Sequence, residues 1–255
     1  MNHKAETEYN FLNSVRYADQ IKRVSASIKS TVGFSNFCIC IIDNLTAEKY
    51  MLSNMPDWAV EYYKLGGYRS DKVFCKEYAK GKREFFPRLD DYDYIQDILV
   101  KKEEVVYGYF DLYALVRKCY ECTFILLAVD KDSSLESKKI FYETRGKFER
   151  FIIDFLSKMS DEILESCVFS DRLSLLYNNK YLSKIILSPD LNIDLTDTEK
   201  KVLAYFKDKN SPKEMALKLD LSERTIRNNI LSLKEKLDVF STRDLSREAF
   251  IYDFG

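Results

Sequence analysis

Residues 195–239 read LTDTEKKVLAYFKDKNSPKEMALKLDLSERTIRNNILSLKEKLDV, and this stretch decides the fold of the C-terminal part of the chain. Thr196 with Glu199 three residues later is a capping box, leading into Val202, Leu203 and Phe206. Ser211 repeats the device, with Pro212 suited to the first helical position and Glu214 closing the box. That second helix turns Met215, Ala216 and Leu219 inward. Asp220-Leu221 then leads straight to Ser222, the cap of a third helix. Two short helices joined by so tight a connection form a helix-turn-helix.

The third helix can be phased. At about 100° per residue, Ile226, Ile230, Leu233 and Leu237 fall within roughly 60° of one another and form the buried stripe. Arg224, Arg227, Asn228, Leu231 and Ser232 lie opposite. Two guanidiniums and an amide suit base edges and phosphates, close to a positive helix N-terminus. The phasing puts Arg227, Asn228 and Leu231 at base edges, with Arg224 and Thr225 on phosphates. Residues 194–255 carry 12 Lys/Arg and 12 Asp/Glu, so the segment is neutral. A single copy gathers few phosphate contacts, which calls for a dimer on a two-fold site. A fourth helix over 242–252 carries Leu245, Ala249 and Tyr252, to cover the others or to pair subunits.

Upstream, residues 8–31 read as one helix on the spacing of Phe11, Val15, Ile21, Val24 and Ile28, stopped by Gly33. Residues 37–43 and 49–53 read as strands. Pro56 opens a short helix carrying Trp58 and Tyr62, ended by Gly66-Gly67. Further helices are expected over 71–79 and 94–101, and a strand pair over 109–117 and 123–129. A long helix follows over 135–169, with the apolar stripe Phe141, Phe148, Phe151, Phe155, Met159 and Ile163. This order of elements predicts an α+β chain: an α/β/α sandwich with an antiparallel sheet over 1–169, a linker over 170–193, and an all-α four-helix domain over 194–255.

Composition excludes several functions. The longest apolar runs, 37–42 and 124–129, are six residues each, against about 20 for a membrane span. No secretory signal opens the chain, so a cytoplasmic protein without a membrane partner is expected. The one histidine, His3, leaves no His-dependent triad or His-ligated zinc site, and the seven glycines form neither G-x-G-x-x-G nor a P-loop. Cys119 and Cys122 form a C-x-x-C without a second pair, so the six cysteines read as structural thiols in a reducing compartment. No metal, cofactor or catalytic set is expected, and an enzyme using Asp71 with Glu77 ranks last.

With these residues in view, 195–239 is similar to the LuxR-type four-helix DNA-binding domain over its whole length. Glu199 and Leu203 match the family's acidic and apolar marks, and Thr225-Ile226-Arg227 the start of its recognition helix. The family's glycine near Lys209-Asn210 is absent. The upstream region resembles the autoinducer-binding domain of the quorum-sensing branch, an α/β/α sandwich. Trp58, Tyr62 and Asp71 keep its W-x3-Y-x8-D spacing. The resemblance implies that the tryptophan binds a lactone carbonyl, the aspartate an amide N–H, and the tyrosine lines an acyl pocket. Lys72 stands where the family has proline, Phe86 at its second pocket tryptophan, Gly108 near its central glycine, and apolar Leu126 near a hydroxyl position.

The resemblance implies a homodimeric transcription regulator on double-stranded DNA, controlled by a small amphipathic ligand such as an acyl-homoserine lactone. RNA polymerase is the further partner that such a role implies. The departures in the pocket support a second reading, in which the front half serves dimerisation or protein interaction without a ligand.

Overall fold

The computed structural model describes residues 12–66, 71–74, 84–85, 111–130, 135–187, 195–237, 239 and 241–251. The expected helix over 94–101, most of that over 71–79, and His3, Cys75, Glu77, Phe86, Gly108 and Tyr252 lie outside these residues. The chain divides into two compact units, one built on a sheet and the other on the four C-terminal helices.

The first unit starts with α1 (Asn13–Arg16), α2 (Ala18–Val24) and α3 (Ile28–Val32). A single helix was the expectation for this stretch. It breaks at Tyr17 and again at Ser25, whose hydroxyl turns back onto the Ile21 carbonyl at 2.7 Å. Such local bonding competes with the helical ladder. Gly33, at φ +101°, takes the left-handed conformation that ends α3.

Strands β1 (Asn36–Asp43), β2 (Lys49–Ser53), β3 (Glu84–Phe85), β4 (Asp111–Lys118) and β5 (Cys122–Asp130) form a five-stranded sheet in the order β2-β1-β5-β4-β3. The register pairs Ile39 with Leu52 and with Leu126, and Glu84 with Leu115, all antiparallel. Residues 119–121 join β4 to β5, a connection that only antiparallel neighbours permit. At the β2 edge, Ser14 Oγ accepts from the Ser53 N–H at 2.9 Å, which closes one group open to further strand pairing.

Side chains alternate between the two faces of the sheet. Cys38, Cys40, Ile42, Met51, Ala114, Val116, Ile125, Leu127 and Val129 pack under α4 (Pro56–Lys64) and the turn Lys72–Phe74. The opposite face carries Phe37, Ile39, Leu126 and Tyr113 toward α5 (Leu135–Lys158), with Phe37 edge-on to Phe151 and Phe155 at 5.2 and 4.8 Å. Sheet and helices therefore form three layers. The long helix ends earlier than expected: its stripe continues into α6 (Ser160–Ser166) after a break at Met159, and Cys167 is extended.

Residues 170–187, assigned by sequence to the linker, are folded. Two short turns lead to α7 (Asn179–Ile186), and Leu173, Leu176, Leu182, Ile185 and Ile186 are buried. Asn178-Asn179 suggested a loop, but Asn178 caps α7, accepting from the Tyr181 N–H at 3.0 Å. Arg117 of β4 pins the end of this helix. Its Nε donates to the Ile186 carbonyl at 2.8 Å, and its guanidinium pairs with Glu149 of α5. Arg145 extends the network to Glu149 at 3.3 Å and to Glu84 at 3.1 Å.

The second unit holds α8 (Asp197–Lys207), α9 (Pro212–Leu219), α10 (Glu223–Lys236) and α11 (Thr242–Ile251). Its core is Val202, Leu203, Phe206, Met215, Ile226, Ile230, Leu233, Leu237, Leu245 and Ala249. Among the described residues no helix is long and apolar enough to cross a membrane.

Candidate nucleic-acid interface and ligand site

The sequence starts α8 at Thr196 because that residue and Glu199 satisfy each other. The Thr196 N–H donates to Glu199 Oε2 at 2.7 Å, and the Glu199 N–H to Thr196 Oγ1 at 3.2 Å. The same carboxylate reaches α10: Ser232 Oγ donates to Oε1 at 2.6 Å, and Lys236 Nζ lies 2.8 Å from Oε2. Glu199 is only 3% exposed. Burial pushes its pKa up, but the bonds from Lys236, Ser232 and Thr196 outweigh it and hold the carboxyl down at about 2. One buried anion thus caps α8 and fixes the rotation of α10 about its own axis.

The turn before α10 is as tight as the sequence implied. Asp220 takes the left-handed conformation at φ 54°, which a short polar side chain tolerates, and the Leu221 N–H closes onto the Ala216 carbonyl at 3.0 Å. Ser222 Oγ then accepts from the Thr225 N–H at 3.0 Å to cap α10. In the preceding loop, where the glycine is absent, Lys209 carries the positive φ of 56° and Asn210 Nδ2 donates to the Tyr205 carbonyl at 3.1 Å.

With Ile226, Ile230 and Leu233 buried, the outer face of α10 presents Arg224, Arg227 and Asn228, all exposed, and Leu231 at 60% exposure. Thr225 is half-buried, and its hydroxyl lies 2.8 Å from Ser222 Oγ. Helical phasing puts Ser232 on the outer face, yet its hydroxyl is turned to Glu199. Arg227 approaches Glu223 at 3.5 Å, a solvent-exposed pair of little energy that leaves the guanidinium able to swing outward. Glu199 as the organiser of this face was half legible: its capping role follows from spacing, its grip on α10 does not.

In the first unit, Trp58 and Tyr62 lie one turn apart on α4, 6% and 3% exposed, with rings stacked at 4.7 Å. Tyr62 Oη donates to Asp71 Oδ2 at 3.2 Å, and the Val73 N–H donates to Oδ1 at 2.8 Å. Trp58, Tyr62 and Asp71 are therefore brought together, and Phe86 lies outside the described residues. Lys72 is exposed. Leu126, taken as a pocket position, faces the other side of the sheet; Ile125 and Leu127 flank it on the Trp58 side. Cys40 also belongs to this cluster, a residue that sequence reasoning missed as a site neighbour. Burial pushes its thiol up to about 12, with Lys49 opposing and Asp71 adding, so it is an unreactive wall.

Residues 194–249 match the family described as bacterial regulatory proteins, luxR family. These residues are a luxR-family domain. The luxR-family helix-turn-helix is a DNA-binding arrangement, and α9 and α10 are its two helices. No curated protein matches the chain. Among solved structures, a crystal form of Escherichia coli SdiA in space group P6522 aligns with a TM-score of 0.39 at 11% identity, covering 91% of this chain and 92% of that one. SdiA in complex with octanoyl-rac-glycerol aligns with a TM-score of 0.41 at 12% identity, covering 100% of this chain and 99% of that one. What SdiA binds is a property of SdiA.

Proposed function

We propose that this luxR-type regulator binds double-stranded DNA as a homodimer in the cytoplasm, and that its first unit senses a small amphipathic ligand such as an acyl-homoserine lactone. The observation that carries the DNA part is the outer face of α10, held outward by buried Glu199 while the apolar stripe packs inward. Arg227, Asn228 and Leu231 are assigned to base edges, and Arg224 and Thr225 to phosphates. Because the domain carries as much negative as positive charge, two copies are required to gather enough phosphate contacts. RNA polymerase follows as a partner of the DNA-bound dimer. We place the end of the sensing unit at Leu187 and the start of the DNA-binding domain at residue 194.

The ligand part rests on Trp58, Tyr62 and Asp71 meeting at one spot. An ionised carboxylate has about four acceptor positions, so Asp71 serves several donors at once, Tyr62 and the Val73 N–H among them, and is the acceptor suited to a ligand N–H. The indole N–H is the complementary donor for a carbonyl. The reading in which this unit only dimerises or binds a protein draws on one observation: Asp71 is already satisfied from within by Tyr62 and Val73.

Trp58 is the single tryptophan, so its fluorescence reports on the site directly. Purified full-length protein titrated with acyl-homoserine lactones of several chain lengths is expected to give a saturable change, lost in Asp71→Ala. A flat response from folded protein that still binds DNA supports the ligand-independent reading instead.

A further inference from the structure

We propose that Leu231 is a specificity-determining residue that reads the 5-methyl group of a thymine in the major groove, about two base steps from a guanine read by Arg227. The inference rests on the DNA-binding reading above and deepens it. Every other aliphatic side chain of α10, namely Ile226, Ile230 and Leu233, is buried, whereas Leu231 is 60% exposed. At 3.6 residues per turn it falls near the centre of the outer face, flanked by Arg227, Arg224 and Asn228 within roughly 100°. A protein-protein surface centred on one leucine between two guanidiniums would force those charges against its partner. A DNA groove instead rewards them, because phosphates and guanine edges accept from arginine while thymine supplies the apolar contact.

Leucine has no donor or acceptor, so the one base-edge group it recognises by contact is that methyl. Residues four apart on a helix are separated by ~6 Å along its axis. Base pairs are stacked at about 3.4 Å, so the bases read by Arg227 and Leu231 are about two steps apart when the helix follows the groove. The recognised half-site therefore contains a guanine and a thymine at that spacing.

The test uses the full chain. Duplexes are enriched from a random pool, and each thymine of the enriched half-site is replaced in turn by uracil, which removes only the methyl. One position is expected to lose about four-fold in affinity, the change that burial of one methyl-sized group implies. Leu231→Ala should erase that uracil penalty and retain the guanine preference. Leu231→Met, which keeps an apolar contact, should retain both. Circular dichroism confirms that the variants fold, as expected for so exposed a side chain. An unchanged uracil penalty in Leu231→Ala, or no sensitive thymine in an enriched half-site, overturns the proposal while DNA binding stands. Failure to enrich any duplex, both without and with the acyl-homoserine lactones of the titration above, overturns the DNA-binding reading itself.

Discussion

The two candidate sites are built in opposite senses. In the first unit Trp58 and Tyr62 are inside: their rings stack against each other and their surfaces are part of the core under α4. In the second unit Arg224, Arg227, Asn228 and Leu231 are outside, and the buried group that governs them, Glu199, sits on another helix. A residue that is both core and candidate ligand contact ties binding to folding. A residue on an outer face separates the two, and the same substitution then changes recognition while stability holds.

Trp58→Ala is the strongest way to break this contrast. Truncating a buried aromatic costs about 3–5 kcal/mol, so thermal or denaturant unfolding of the first unit should shift markedly. A shift below about 1 kcal/mol would mean that the Trp58 surroundings relax freely and that the residue is no part of the core. Glu199→Ala should come next, lowering the stability of the second unit by about 2–3 kcal/mol through the lost capping box and the lost bonds from Ser232 and Lys236.

Acid sharpens the same point. The folded pKa of Glu199 lies below its unfolded value, so its contribution is complete above the ordinary carboxylate range and is lost as pH falls toward about 2. Unfolding of the second unit followed against pH should show a loss of stability over that interval that Glu199→Gln lacks. Arg227→Ala should leave unfolding unchanged within about 0.5 kcal/mol and weaken binding to an enriched duplex by about 1–3 kcal/mol. A large loss of stability in that variant would place Arg227 in the fold and remove it from the recognition face. The smallest effect is expected for Glu223→Gln: the exposed pair with Arg227 contributes about 0–0.5 kcal/mol to stability, and salt titration of the melting temperature is the measurement.

Local signals carried much of the architecture. Capping boxes at Thr196 and Ser211 mark helix starts because their bonds close within three residues, and the structure has α8 and α9 starting there. Strand β1 is readable from its β-branched apolar run and β2 as its partner, and Gly33 from its position after the last apolar residue of the helical stripe. Two elements escaped. The helix over 179–186 reads as linker in the sequence because its burial depends on α5 and on Arg117, both distant in sequence. The breaks at Tyr17 and Met159 likewise interrupt stripes whose periodicity continues across them.

For the sites, the chain by itself determined the chemistry on offer: an indole, a phenol and a carboxylate at family spacing, and a helix with guanidiniums opposite an apolar stripe. Only the tertiary structure decided how those groups are used. Sheet parity moved Leu126 away from the Trp58 side and brought Cys40 into it, because alternate strand residues face opposite layers. The folded helices turned Ser232 inward to Glu199, since a buried carboxylate takes whichever donors its neighbours supply. Periodicity states which residues share a face; which face meets a partner, and which carboxylate binds it there, depends on contacts between residues far apart in the chain.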